Sequence, residues 1–400
     1  MHLSQRITEL TGGGSDGWDL FLKARRMIAE GTPVTELTIG EHDIRTAAPI
    51  LQEMHDTALA GHTGYAAVPG TQDLRDTVAR RIAARTGVPT TAENVLITPG
   101  GQAALFAAHV AACDPGDTAL YIDPYYATYP GTLRGAGTVP QVIQARAEDA
   151  FQPRAAEIAA HAPGAASLLI NTPNNPTGVV YSDATLRGIA EVCLTHDLWL
   201  ISDEVYDTQV WEGTHLSPRA LPGMAARTLV VGSMSKSHAM TGSRCGWIIG
   251  PEEAISHLIT LATHTTYGVP GFIQDASRFA LTQGEAFEAE IAAPFLRRRA
   301  LAQRMLSQQN TVGLVPAQGA MYLMLDIRAT GMSGEAFANG LLDSHHIAVM
   351  PGESFGQAAA GHVRVAMTVA DDVFAAALQT LMTYAAERAQ HNGVVRDIQT

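Results

Sequence analysis

Thr228-Leu-Val-Val-Gly-Ser-Met-Ser-Lys236-Ser-His-Ala-Met-Thr-Gly-Ser-Arg244 is the stretch on which the reading of this chain turns. Its first part is a short β-branched run that is apolar without alternation, the pattern of a strand buried on both faces. Its second part is small and polar and carries a lysine. Lys23 and Lys236 are the only lysines in a chain with 26 Lys+Arg, so wherever charge alone is needed the sequence supplies arginine. Arginine keeps its proton and is a poor nucleophile, whereas lysine loses its proton when desolvated and condenses with aldehydes. Lys236 stands at a strand end among small and apolar residues. It therefore reads as a chemical group directed at a carbonyl cofactor rather than as a solvated surface charge.

The strand signature recurs on both sides. Val95-Leu-Ile-Thr, Thr118-Ala-Leu-Tyr-Ile, Ser167-Leu-Leu-Ile-Asn, Leu198-Trp-Leu-Ile-Ser and Gly246-Trp-Ile-Ile-Gly alternate with amphipathic helical patterns. This predicts an α/β architecture with a mostly parallel sheet between helices and ligands at the strand C-terminal ends. Upstream, Trp18 to Ile28 reads as a helix and Val34 to Ile39 as a strand. Downstream, the Arg-rich segment Phe295 to Leu306 reads as a long connecting helix. The strand-like stretches Met321 to Asp326 and His362 to Met367 follow it and suggest a smaller α+β domain. A chain of 400 residues exceeds one ordinary core. The expected division is an N-terminal arm with part of the small domain over 1–45, a large domain over 46–290 and the small domain over 291–400. No repeat stands out, and the last ten or so residues are expected to fray.

Composition narrows the function. The chain is 46% hydrophobic, yet no apolar run reaches the roughly 18 residues of a membrane span. A net charge of −13 counts against nucleic acid or an anionic membrane as partner. Cys113, Cys193 and Cys245 are odd in number and lack CxxC spacing, so neither disulfides nor a metal site are expected. The opening residues show no leader pattern, which makes the cytoplasm the simplest address.

Several turns complete the constellation around Lys236. Pro99-Gly-Gly101-Gln102 links a strand to a helix start, where backbone N–H groups and the helix dipole suit a phosphate, although a plain βα turn would look the same. Ser233, Ser235 and Arg244 add donors and a counter-charge. Together they suggest a phosphorylated aldehyde, pyridoxal phosphate. Asp203, just past a strand, suits a protonated pyridine nitrogen, though a helix N-cap is equally consistent with its position. Tyr206 follows three residues on. The turn-rich Asn171-Thr-Pro-Asn-Asn175-Pro-Thr-Gly178 can present the Asn175 amide, together with Tyr206, to the cofactor's phenolate oxygen. Tyr126 offers an aromatic face for stacking, and Arg364, a charge inside an apolar strand, needs a buried anion. A substrate carboxylate and a structural salt bridge both meet that need.

In these motifs, over nearly its whole length, the chain resembles the class I/II aminotransferases, fold type I enzymes dependent on pyridoxal 5'-phosphate. The resemblance implies Lys236 as the Schiff-base lysine and proton shuttle, and Asp203 as partner of the pyridinium nitrogen. It places Asn175 and Tyr206 at the phenolate oxygen and Tyr126 on the ring. Gly101, Gln102, Ser233, Ser235 and Arg244 would hold the phosphate, joined by Tyr65 from the neighbouring subunit of a homodimer. Gly40, Asn175 and Arg364 would bind the substrate α-carboxylate. Within the family, His196 to Tyr206, Leu216 to Ala225, Ser235 to Gly242 and Tyr267 to Ala276 are most similar to bacterial arginine–pyruvate transaminases. His42 and Ile44 depart from the Pro and Phe usual at the substrate entrance. Glu41, Asp43 and Asp207 are acidic residues that could meet a guanidinium.

Transfer of an amino group from an L-amino acid to a 2-oxo acid such as pyruvate is the activity this implies. A carbon–sulfur β-lyase would carry nearly the same motifs. A non-catalytic regulatory protein binding pyridoxal phosphate is a weaker match, because no basic helix-turn-helix precedes the fold. A nicotinamide-dependent dehydrogenase lacks its GxGxxG after the first strand.

Overall fold

The computed structural model describes residues 1–14 and 17–391, so the fraying expected of the C-terminal end lies outside the described residues. The strands, in chain order, are β1 (Thr35–Leu37), β2 (Val95–Thr98), β3 (Thr118–Asp123), β4 (Val139–Gln144), β5 (Ala165–Asn171) and β6 (Trp199–Asp203). They continue with β7 (Thr228–Ser233), β8 (Gly246–Ile249), β9 (Gly313–Leu314), β10 (Tyr322–Asp326), β11 (Ile347–Pro351) and β12 (His362–Ala366). The larger sheet has the order β2-β8-β7-β6-β5-β3-β4. Its pairings are parallel except that β8 runs against both β2 and β7.

Both faces of this sheet are covered, which explains why its strands are apolar without alternation. Leu229 and Val231 of β7 pack on one face with the helices Gly101–Ala112 and Glu252–His264. Val230 points the other way, onto a cluster built with the helices Gln72–Thr86 and Gly271–Thr282. Leu120, Leu168 and Leu200 continue that second face against the helices Ala155–His161 and Asp183–Thr195. Each such side chain contributes about 1.5–3 kcal/mol by its burial. The edge strand β4 was not expected from the sequence: Val139 and Val142 are exposed, so the apolar run is broken, and Pro140 is tolerated at an edge.

The smaller sheet has the order β1-β11-β12-β10-β9, with β1 parallel to β11 and the remaining neighbours antiparallel. Leu20, Ala24, Phe337, Leu341, Phe374 and Leu381 pack around it, so the N-terminal helix Asp19–Ala29 joins C-terminal helices in one core. The predicted connecting helix begins earlier than expected and spans Glu285–Leu306. Its Phe287 packs against the Trp247 cluster and its Phe295 against the smaller-sheet core, so one helix ties the two cores together.

Parallel pairing brings the C-terminal ends of β5, β6 and β7 to one edge, with Asn171 level with Asp203. The loops leaving that edge carry the motif residues. No helix among the described residues is long and apolar enough to cross a membrane.

Candidate active site

A cavity of about 320 Å³ opens at that edge, within the range of ordinary ligand sites. Gly40, Gly101, Gln102, Tyr126, Asn175, Asp203, Tyr206, Ser233, Ser235, Lys236, Arg244 and Arg364 all line it; of the residues singled out in the sequence, Tyr65 and the entrance candidates His42, Asp43, Ile44 and Asp207 do not. A larger cavity of about 1120 Å³ lies between the N-terminal residues and the helix Tyr129–Ala136. Lys236, Asp203 and Arg364 are absent from its lining, so the candidate chemistry is not there.

One end of the smaller cavity is built for an anion. The helix Gly101–Ala112 starts here behind Gly100, whose φ of 82° is open to glycine. The turn lies directly on β8: a Cβ on Gly246 would come within 2.8 Å of the Gly100 carbonyl carbon. Ser233 caps the next turn, its Oγ lying 3.0 Å from Ser235 Oγ and accepting from Ser235 N at 3.1 Å. Arg244 donates to the Thr241 carbonyl at 2.9 Å, and no carboxylate among the described residues pairs with it. The Gln102 side-chain amide donates to Thr132 at 2.7 Å and accepts from Thr128 at 3.2 Å, which leaves its backbone at the helix start for an anion.

Deeper in, Asp203 is buried. Its Oδ2 accepts from the Tyr129 hydroxyl at 2.7 Å and its Oδ1 from the Val205 amide at 3.3 Å. Burial pushes its carboxyl up to about 6, opposed by these two donors. It ends a strand rather than capping a long helix, and no cation among the described residues pairs with it. Asn171 fixes the neighbouring loop by donating to the Asp203 carbonyl at 2.9 Å and accepting from Asn175 N at 2.7 Å. The Tyr206 and Tyr322 hydroxyls meet at 2.9 Å. Tyr126 stands edge-on to Tyr129 with ring centroids 5.7 Å apart, and burial pushes its phenol up to about 12.

Lys236 reaches the Gly40 carbonyl with its Nζ. Its accessible part faces the cavity, and desolvation lowers its proton affinity from the ordinary lysine range, opposed by Tyr322 and Glu41 and reinforced by Arg364 and Arg244. Gly40 must be glycine because a Cβ there would strike the Tyr322 hydroxyl.

Arg364 is 1% exposed. It donates to Asn175 Oδ1 at 2.8 Å and to the Thr38 carbonyl, while its Nε has no partner among the described residues. The guanidinium is sandwiched between Tyr322 and Phe355, 4.4 and 4.3 Å from their ring centroids. The structural salt bridge allowed by the sequence is not formed among the described residues, and desolvation lowers the guanidinium's proton affinity. A buried cation with a free donor beside an open cavity suits an incoming carboxylate.

Tyr65 is 93% exposed and stacks edge-on with Tyr267, 5.2 Å between centroids, outside the cavity. Asp43 and Asp207 do meet guanidinium groups, but those of Arg298 and Arg85 in the same chain. His42 turns inward onto Phe295, at 5.2 Å, and desolvation lowers it to about 4. Tyr129, Tyr322 and Trp18 were missed in the sequence; the signal for Tyr322 was a polar tip within an apolar strand.

Residues 32–381 match the family described as aminotransferase class I and II. The arginine–pyruvate transaminase of Pseudomonas aeruginosa is 39% identical over 391 residues, covering 97% of this chain and 99% of that protein. The aspartate/prephenate aminotransferase of Thermus thermophilus is 34% identical over 363 residues, covering 89% and 92%. The aspartate aminotransferase of Thermus thermophilus solved with maleate superposes with a TM-score of 0.89 at 31% identity, covering 96% of this chain and 100% of that one.

Proposed function

The chain belongs to the class I and II aminotransferases, a family dependent on pyridoxal phosphate, and we propose that its amino donor is L-arginine and its acceptor a 2-oxo acid such as pyruvate. The observation that carries the donor is the 39% identity to an arginine–pyruvate transaminase along almost the full length of both chains. Relatives named for aspartate and prephenate are 34% identical or less, so the donor is the point to test.

The residues present fit the cofactor. Among the described residues Asp203 is a buried carboxylate without a cation, suited to a protonated ring nitrogen, and Arg244 is an arginine without an acid, suited to a phosphate beside Ser233, Ser235 and the Gly101 helix start. Asn175 and Tyr206 would face the phenolate oxygen, and Tyr126 would lie against the ring. When bound, the cofactor condenses with amino groups and withdraws electrons from the substrate's α-carbon.

The chain's own groups divide the remaining work. Arg364, with Asn175 and the Gly40 backbone, holds the α-carboxylate and thereby orients the α-carbon. Desolvation keeps the Lys236 amine easily deprotonated, so its Nζ takes the proton from that carbon and holds it for return. Tyr65, exposed on one chain, completes the phosphate end of a partner's site in a homodimer.

A half-reaction tests the donor. Purified holoenzyme is mixed with L-arginine and no 2-oxo acid, and loss of the cofactor's resting absorbance is followed, with L-alanine, L-aspartate, L-phenylalanine and L-methionine in parallel. Arginine should convert fastest and Lys236→Ala should not convert at all. Faster conversion by another donor discards arginine, and steady pyruvate and ammonia from a sulfur amino acid would move the assignment to a β-lyase.

A further inference from the structure

We propose that Glu41 selects the donor by its side-chain charge, taking the guanidinium or ammonium group of a cationic amino acid. This rests on the aminotransferase reading with a cationic donor and adds the residue responsible. Three acidic residues near the entrance could meet such a group, and the structure separates them. Asp43 already accepts from Arg298 through both oxygens, at 3.0 and 2.6 Å. Arg298 is itself buried and also bonds Asp371 at 2.8 Å and the Met367 carbonyl at 2.8 Å, so Asp43 belongs to a neutralised junction. Asp207 pairs with Arg85, whose other nitrogen bonds Glu288 at 2.9 Å. Both Asp43 oxygens are taken, Asp207 is already paired through its Oδ2, and neither residue lines the cavity.

Glu41 differs on each count. Its Oε1 accepts from the Thr241 hydroxyl at 3.0 Å, and no arginine, lysine or histidine among the described residues lies within ion-pair distance of it. It is exposed, it lines the cavity, and it and Asp203 are the carboxylates in that lining. Asp203 lies at the buried end beside Tyr129 and is matched to the cofactor, which leaves Glu41 for the substrate. Ile39 and Trp18 line the same cavity and offer apolar surface to the methylenes of a long donor. A solvated carboxylate with no ion-pair partner among the described residues attracts a cationic side chain, does nothing for a neutral one and repels an acidic one.

The test compares wild-type holoenzyme with Glu41→Gln, Glu41→Asp and Glu41→Lys in the half-reaction with L-arginine, L-lysine, uncharged L-norleucine and L-glutamate. The expected result is a drop of about 10- to 100-fold in the arginine-to-norleucine ratio of kcat/KM for Glu41→Gln. Glu41→Asp should recover part of it, and Glu41→Lys should shift preference toward glutamate. The bound-cofactor spectrum reports folding, and the ratio to norleucine cancels any change that removing the Glu41 charge brings to Lys236. If wild type converts arginine well and Glu41→Gln keeps the same ratio, the role of Glu41 is overturned while the arginine reading stands. If wild type converts norleucine but not arginine or lysine, the cationic-donor reading falls, and the role of Glu41 with it.

Discussion

The cavity has two walls that are assembled differently. One is formed by residues at the ends of neighbouring strands of the larger sheet or a few positions beyond: Asn171, Asp203, Ser233 and Lys236, set in place by the backbone ladder of β5, β6 and β7. The other is formed by Gly40, Glu41, Tyr322 and Arg364, which come from segments near the two ends of the chain. Tyr322 and Arg364 of that wall sit on the paired strands β10 and β12 of the smaller sheet, and side chains join it to the first wall and to the Thr38 segment: Arg364 bonds Asn175, 189 residues away, and the Thr38 carbonyl, 326 residues away. Within each wall a sheet fixes positions through many shared bonds, whereas the junction between the walls rests on individual side-chain bonds and changes with each substitution. Groups proposed to hold the cofactor sit on the first wall and those proposed to choose the substrate on the second.

Arg364→Lys should give the largest effect on the assembled wall. Lysine keeps the charge but loses the planar fork and the stacking between Tyr322 and Phe355. KM for every donor and acceptor should rise about 10- to 100-fold, with kcat changed less, because the α-carboxylate is held equally before and during reaction. Steady-state kinetics with arginine and pyruvate measure this. An unchanged KM would remove Arg364 from substrate binding and leave it as a structural cation.

Asp203→Asn probes the sheet-edge wall through stability. Burial raises the Asp203 carboxyl from its ordinary 3.8 to about 6, so the folded cofactor-free protein keeps the proton longer than the unfolded chain. Its contribution is fully present below the ordinary value and is lost as pH rises through about 6. The span is worth on the order of 3 kcal/mol. Between pH 4 and pH 7 the cofactor-free Asp203→Asn protein should therefore lose less stability than cofactor-free wild type, by chemical denaturation. Cofactor should close part of that gap by giving the carboxylate a cation. Parallel pH profiles would show that Asp203 is not strained by burial.

The same division explains what the sequence made legible. Lys236, Asp203 and Asn175 lie at or just past apolar runs that are easy to see, so their common edge followed from local pattern alone. Tyr129 reaches Asp203 across 74 residues, and Tyr322 reaches the site through the register that sets Met324 opposite Arg364. No local spacing encodes either. Asp43 and Asp207 had the right charge, but their partners lie 255 and 122 residues away, so the sequence could not show that they were already occupied. In β11, Ile347-Ala-Val-Met-Pro is apolar but short, and its strand character came from pairing with β1 and β12. Tyr65, proposed to act in a partner's site, is seen in one chain only as an exposed ring packed edge-on against Tyr267.

The smallest expected effect is the most direct test of whether the walls act separately. Tyr206 belongs to the sheet-edge wall and Tyr322 to the assembled one, and their hydroxyls meet at 2.9 Å over edge-on rings 5.8 Å apart. The phenols are buried, and desolvation, followed by Tyr322, raises Tyr206 well above the usual range, so this is a bond between neutral groups. A neutral buried hydrogen bond contributes about 0.5–1.5 kcal/mol. Tyr206→Phe and Tyr322→Phe keep the ring packing and remove one hydroxyl each, so a double-mutant cycle isolates the contact. The coupling should be about 1 kcal/mol in unfolding free energy. Coupling of similar size in kcat/KM would mean that the same bond also holds the substrate wall in register with the cofactor wall. Coupling in stability with none in kcat/KM would mean that the walls meet there but act independently. No coupling in either measurement would leave Arg364–Asn175 and Lys236–Gly40 as the contacts joining them.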